Sequence, residues 1–210
     1  MLTVHHLGIS QSERIVWLCE ELSIPYQLVN YERDPVTRLA PAQYKALHPF
    51  GTAPVIVDGS VVLSESGAII EYIIARHGKG RLAVRPDAPN YADYLFWFHF
   101  ANASMMPVQF AGAIKPTPDE SPRTRLSRER CERSWQMVEA RLGEVPYFAG
   151  AELTAADIIM VFVLTTMRVF VPRDISGNPN VLAYLQRIGA RPAYRQAMQK
   201  GDPTMKPLLT

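Results

Sequence analysis

The sequence predicts an α/β domain followed by an all-α domain, and three observations carry that reading. Strand-like and helix-like hydrophobic periods alternate along the first part of the chain, from residue 2 to residue 76. They give way at "GKGRLAVRPDAPN", Gly78–Asn90, a glycine- and proline-bearing stretch without strand pattern. Beyond it every strong period is helical. The expected division is residues 1–78, a linker over 79–89, and a helical domain over 90–210.

Residues 2–7 read as a strand. Ser12–Leu22 reads as an amphipathic helix, because Ile15, Leu18, Cys19 and Leu22 recur at helical spacing. After Pro25, "YQLVNYE" (Tyr26–Glu32) reads as a second strand. A polar connection and a short helical piece at Gln43–Leu47 lead to "PVIVDGSVVLSES", whose two apolar runs flank Asp58-Gly59, a dipeptide that favours a tight hairpin turn. Glu65–Arg76 closes the domain as a helix with Ile69, Ile70, Ile73 and Ile74 on its apolar side. The order is βαβαββα.

In the second part, Tyr91, Tyr94, Leu95, Phe98, Asn102 and Met105 trace one helical stripe, and Trp97, Phe100, Ala101 and Ser104 trace its neighbour. This helix is apolar round much of its circumference. Arg123–Leu142, Ala155–Met167, Pro179–Ile188 and Pro192–Gln199 read as further helices. Internal repeats and low-complexity tracts are absent from the sequence.

The chain has 210 residues, 48% of them hydrophobic and 20% charged, the profile of a globular protein with room for a sizeable core. No run reaches the roughly 18 to 20 apolar residues of a membrane span. The N-terminus lacks the basic-then-apolar pattern of a signal peptide, so the expected address is cytoplasmic, with no membrane partner. The two cysteines, Cys19 and Cys131, are too few and too far apart for a disulfide framework, a CxxC motif or a zinc cluster, and no metal is expected. Cys19, on the apolar stripe, reads as a core thiol. Residues 1–80 carry 6 basic and 8 acidic side chains, residues 81–210 carry 16 and 12, and the net of +2 gives no reason to expect nucleic acid. "RTRLSRERCER", Arg123–Arg133, interleaves five arginines with two glutamates and reads as a solvated helix face.

Three junctions attract chemistry. "HHLGISQSER", His5–Arg14, ends a strand in two serines where a helix begins. In one reading Ser10 and Glu13 form a capping box. In the other, Ser10 sits where unpaired N–H groups and the positive end of a helix dipole gather, and its hydroxyl donates to a bound anion. "GTAPV", Gly51–Val55, puts a proline at a strand start, where no central ladder bond is lost. A cis bond there would turn the Ala53 N–H and C=O outward. "LSESGA", Leu63–Ala68, is a strand-to-helix junction. Ser64 or Ser66 caps the helix in one reading. In the other, free N–H groups and the Ser66 hydroxyl hold a carboxylate while Glu65 holds an ammonium, which together recognise an α-amino acid end.

Taken together, these features resemble the cytosolic glutathione transferases over essentially the whole chain. The matching residues are Ser10 with Arg14 four positions on, "HPFGTAPV", Ser64-Glu65-Ser66, and "LTAADI" (Leu153–Ile158) in a late helix. The serine-type pattern is most similar to theta-related and bacterial members. The resemblance implies a thioredoxin-like first domain and glutathione as co-substrate. It implies that Ser10, or alternatively Ser12, donates to the glutathione sulfur. Ala53 would pair its backbone with the cysteinyl unit ahead of a cis Pro54, and Glu65 and Ser66 would hold the γ-glutamyl end. Thr52 stands where many relatives place lysine, leaving Arg38 first, then Lys45 and His48, for the glycyl carboxylate. "LTAADI" would be a structural capping box of Thr154 and Asp157. A two-fold homodimer and a role in detoxification are also implied, with Phe50 either a plug for a neighbouring subunit or packed within its own loop.

A thiol titrates at about 8.5 and attacks only as thiolate. Lowering its pKa by one unit takes about 1.4 kcal/mol of preference for the anion. A hydroxyl hydrogen bond and a helix N-terminus each supply that order, so Ser10 is expected to act as a donor without any general base. A small hydrophobic electrophile would lie against Trp97, Phe100, Met105 and Met106. The expected function is glutathione S-transferase. A non-catalytic glutathione- or partner-binding protein, and a glutathione-dependent disulfide reductase or peroxidase, are the other readings.

Overall fold

The computed structural model describes residues 1–113, 117 and 120–210. The chain divides into two compact units, Met1–Ala83 with Gly189–Pro207, and Val84–Ile188 with Leu208–Thr210.

The first unit contains β1 (Leu2–Leu7), α1 (Glu13–Leu22), β2 (Gln27–Tyr31), α2 (Ala42–Lys45), β3 (Val55–Asp58), β4 (Val61–Ser64) and α3 (Ser66–Arg76), the order expected from the sequence. The sheet runs β2-β1-β3-β4, with β1 parallel to β2 and antiparallel to β3. Gly59 at φ +60 takes the left-handed position of the β3–β4 turn, which glycine adopts at no steric cost. Leu2, Val4 and His6 alternate as buried residues along β1, and the side chains of Ile15, Val16, Leu18 and Cys19 on α1 and Ile69, Ile70, Ile73 and Ile74 on α3 are buried with them. Leu7 packs with Tyr44 and Val55 in a second cluster, to which Ala53 and Tyr31 add.

The last helix also belongs to this unit. The sequence places Pro192–Gln199 in the helical second part, but α9 (Pro192–Gly201) groups with β1 to α3. Trp17 meets Tyr194 edge-on at 5.1 Å. Arg191 grips Glu21 through two bonds of 2.6 and 2.8 Å, and Lys200 reaches Glu20 at 2.6 Å. A bidentate pair with Glu21 nearly buried is among the stronger ion-pair geometries.

The second unit contains α4 (Tyr91–Phe100), a π-helical turn over Ala101–Met105, α5 (Met106–Gly112), α6 (Pro122–Glu144), α7 (Ala155–Leu164), a 3₁₀ turn over Thr166–Val169 and α8 (Pro179–Gly189). Every residue of α7 is buried, which makes it the axis of this core. Its start is the Thr154–Asp157 capping box. Asp157 also accepts the Phe148 N–H at 3.0 Å and the Tyr184 hydroxyl at 3.1 Å, so one carboxylate ties three segments. Along α6 only Cys131, Ser134, Trp135 and Val138 are buried, as expected for a helix whose arginine-rich face is solvated. Among the described residues no helix is long and apolar enough to cross a membrane, and no cluster of three potential metal ligands occurs.

Candidate functional site

The loop from β1 to α1 carries Ser10 and Ser12. Ser12 is the N-cap of α1 but makes no side-chain capping bond. Ser10 Oγ accepts the Ser12 N–H at 3.2 Å rather than bonding into the first helical turn. Both hydroxyls turn inward. Ser10 donates to the Leu7 carbonyl at 2.7 Å and lies 2.8 Å from Ser12 Oγ. Ser12 Oγ accepts the Leu7 N–H at 3.1 Å and lies 2.9 Å from His6 Nδ1.

The chain of contacts continues. His6 Nε2 lies 3.1 Å from Asp202 Oδ2, and Asp202 Oδ1 accepts the Ile9 N–H at 2.8 Å. His6 and Ser12 are fully buried, Ser10 and Asp202 nearly so. A line of four polar groups, Ser10, Ser12, His6 and Asp202, thus runs from the β1–α1 loop to the end of α9.

Glu65 and Ser66 stand at the start of α3. Glu65, exposed, is held at φ +78, a left-handed conformation that costs a non-glycine residue about 1–3 kcal/mol and recurs at ligand sites. Ser66 is buried and caps nothing. Its Oγ accepts from Arg14 at 3.2 Å and donates to Gln11 Oε1 at 3.3 Å, while Arg14 donates to the same Gln11 oxygen at 2.6 Å. Arg14 is buried. Desolvation lowers its pKa, and the charges of Glu13 and Glu65 act in the opposite direction. Arg14 therefore joins the Ser10 loop to the Ser66 turn.

The Ala53–Pro54 bond is cis, and Ser64 Oγ donates to the Pro54 carbonyl at 3.0 Å. Thr52 is exposed. Arg38, exposed and at φ +60, lines a cavity of about 380 Å³ with His6, Gly8, Ile9, Arg33 and Asp202. Arg33 holds that wall together by donating to the carbonyls of Gly8 and Ile9 at 2.8 and 3.2 Å.

In the second unit, Trp97 and Met105 are core residues, Trp97 packing on Phe148 at 5.0 Å. Met106 is half-buried. Phe100 lines a cavity of about 460 Å³ with Ser104, Pro107, Val108, Ser134 and Met137.

The model of the glutathione S-transferase N-terminal domain matches residues 10–76, and that of the C-terminal domain matches residues 100–192. Glutathione S-transferase 3 of Schizosaccharomyces pombe is 32% identical, covering 95% of this chain and 88% of its own. The chain belongs to the glutathione S-transferase family. A family member of Escherichia coli is 27% identical, covering 89% of this chain and 91% of its own. A glutathione S-transferase from Actinobacillus pleuropneumoniae superimposes with a TM-score of 0.86 at 32% identity, over 96% of this chain and 93% of that one.

Sequence reasoning about this transferase missed His6, Asp202 and Gln11. For His6 a signal existed, since strand alternation puts it on the inward face with Leu2 and Val4. No local pattern announces Asp202, which lies 196 residues from its partner.

Proposed function

We propose that the protein binds glutathione on its first unit and presents the sulfur, as thiolate beside Ser10, to a small hydrophobic electrophile. Family membership supports the reaction class. The observation that carries the site is the Arg14 link, which ties the Ser10 loop to the Ser66 turn through Gln11. In this reading Glu65 and Ser66 take the γ-glutamyl end, with a carboxylate at the N-terminus of the eleven-residue α3. Ala53 pairs its backbone with the cysteinyl unit, and Arg38 takes the glycyl carboxylate. Both hydroxyls are engaged within the loop, and Ser10 is favoured over Ser12 because it keeps some exposure while Ser12 is fully buried between Leu7 and His6.

The electrophile wall is proposed on the second unit at Phe100 and the half-buried Met106, with Trp97 packed edge-on against Phe100 at 5.3 Å and Met105 in the core behind. A two-fold dimer belongs to the same reading. Phe50 is 68% exposed, which leaves it free to seat against a second copy. A serine-type, theta-related chemistry, a cytoplasmic address and a role in detoxification complete the proposal.

Turnover of a chloronitrobenzene with reduced glutathione tests it. The wild type is expected to release chloride, and Ser10→Ala to lose about tenfold or more at neutral pH, the size of one lost charge-assisted hydrogen bond. Glutathione binding without chloride release from any activated aryl halide would favour the binding-module reading instead.

A further inference from the structure

We infer that His6 and Asp202 form a buried proton-accepting pair that acts on the glutathione sulfur through Ser12 and Ser10. The inference rests on the proposed contact between Ser10 and sulfur.

Hydrogen-bond directions follow from donor counting. An ionised Asp202 carboxylate accepts only, so with Ile9 N–H on one oxygen its other oxygen fixes the His6 proton on Nε2. That leaves Nδ1 as an acceptor, and the hydroxyl of Ser12, 2.9 Å away, must donate to it. With its proton so used, Ser12 Oγ accepts from the Leu7 N–H, and it is the second acceptor, 2.8 Å away, for the Ser10 proton that rests on the Leu7 carbonyl at 2.7 Å. From Ser12 onward every link points one way, to His6 and then to Asp202, and Ser10 joins the line when its hydroxyl turns from the Leu7 carbonyl to Ser12. An imidazole backed by a buried carboxylate draws the proton of the serine hydroxyl before it, and a proton from a donor facing the serine oxygen can replace it.

The step balances. The S–H bond of glutathione breaks and its electron pair stays on sulfur. The proton passes to Ser10 Oγ as the proton of Ser10 passes to Ser12 and that of Ser12 to His6 Nδ1. The products are an imidazolium facing the Asp202 carboxylate and a thiolate that accepts from the Ser10 hydroxyl. The same event turns Ser10 from acceptor to donor toward sulfur. His6 and Asp202 line the 380 Å³ cavity, through which the proton leaves to solvent.

The charged surroundings are defined. Arg33 acts on Asp202 electrostatically, and Glu32 and Arg38 share the cavity wall. His5, the neighbour on β1, engages the Tyr31 hydroxyl at 3.0 Å instead. From the N-cap of α1 the group facing His6 is Ser12. Gly201, at the end of α9, admits the ring, since a Cβ there would come within 3.1 Å of His6 Nε2.

The test follows the ultraviolet absorbance of bound glutathione thiolate against pH, with affinity from calorimetry, in the wild type, His6→Asn, Asp202→Asn and Ser12→Ala. Asn at position 6 keeps an acceptor near the place of Nδ1 but takes up no proton. Asn at position 202 is isosteric and can turn its amide to His6, reversing the tautomer. Each folded variant is expected to raise the thiolate midpoint by about one unit, a tenfold lower ratio of thiolate to thiol at any pH, with glutathione affinity measured below the midpoints kept within about threefold. If His6→Asn fails to fold, the isosteric Asp202→Asn decides. A wild type that forms thiolate while the folded variants show unshifted midpoints would overturn this inference alone. A wild type without bound thiolate would remove the site reading on which it rests.

Discussion

Ser66 Oγ receives a hydrogen bond from the buried guanidinium of Arg14 at 3.2 Å, although the two residues lie 52 positions apart. Gln11 completes the triangle by accepting from both, so the N-terminal turn of α3 and the β1–α1 loop are held as one surface. Lysine at position 14 has one donor centre and cannot reproduce the guanidinium fork. Arg14→Lys is expected to cost about 1–3 kcal/mol in denaturant unfolding, the size of a buried hydrogen bond left unmade, and to weaken glutathione binding.

The Thr154–Asp157 box is structural, and its removal is expected to act on stability. Asp157 accepts from the Phe148 N–H, the Thr154 N–H and the Tyr184 hydroxyl. Asp157→Ala leaves these buried donors without their acceptor and is expected to cost about 3 kcal/mol or more, against about 1 kcal/mol for Thr154→Ala, by chemical unfolding. Burial raises the Asp157 pKa to about 6 from 3.8. The folded state therefore holds more protons than the unfolded state between those values, and the contribution of this group declines as pH rises through that window.

Asp58 behaves in the opposite sense. His77, 2.7 Å away, and Tyr72, at 3.1 Å, hold its carboxyl below the ordinary 3.8. The stability it gives the β3–β4 hairpin and α3 is complete above that value and lost as pH falls below it. Thermal melts of Asp58→Asn and wild type should differ at neutral pH and converge in acid.

Cys19 is expected to resist alkylation. It is fully buried on α1, and desolvation together with Glu20 pushes its thiol far above the usual range. Mass spectrometry after treatment of the native protein with iodoacetamide should find Cys19 unmodified, and modification should appear only on unfolding.

Much of the first unit is legible in the sequence because local rules agree there. Alternation in residues 2–7, the Asp58-Gly59 turn and the isoleucine stripe of α3 each specify their own element. The second unit is legible as helices, but the apolar run after Ala155 does not reveal that α7 ends at Leu164 and tightens into a 3₁₀ turn. Ser10, Glu65 and Ser66 stand out through their places at strand-to-helix junctions. What they touch does not, since a side-chain rotamer decides that Ser10 faces Leu7 and Ser12 rather than Glu13. The grouping of α9 with β1 and α1 depends on Glu21 meeting Arg191 across 170 residues, a separation at which no periodicity operates.

The surface joining Ser10 to Glu65 and Ser66 is the proposed seat of glutathione. Calorimetric titration of the purified protein with reduced glutathione, repeated on Glu65→Ala and Ser66→Ala, tests it most directly. Saturable binding by the wild type is expected, with a loss of about tenfold in each variant, the size of one charge-assisted contact. Unchanged affinity in both folded variants, or no heat of binding in the wild type, would contradict it.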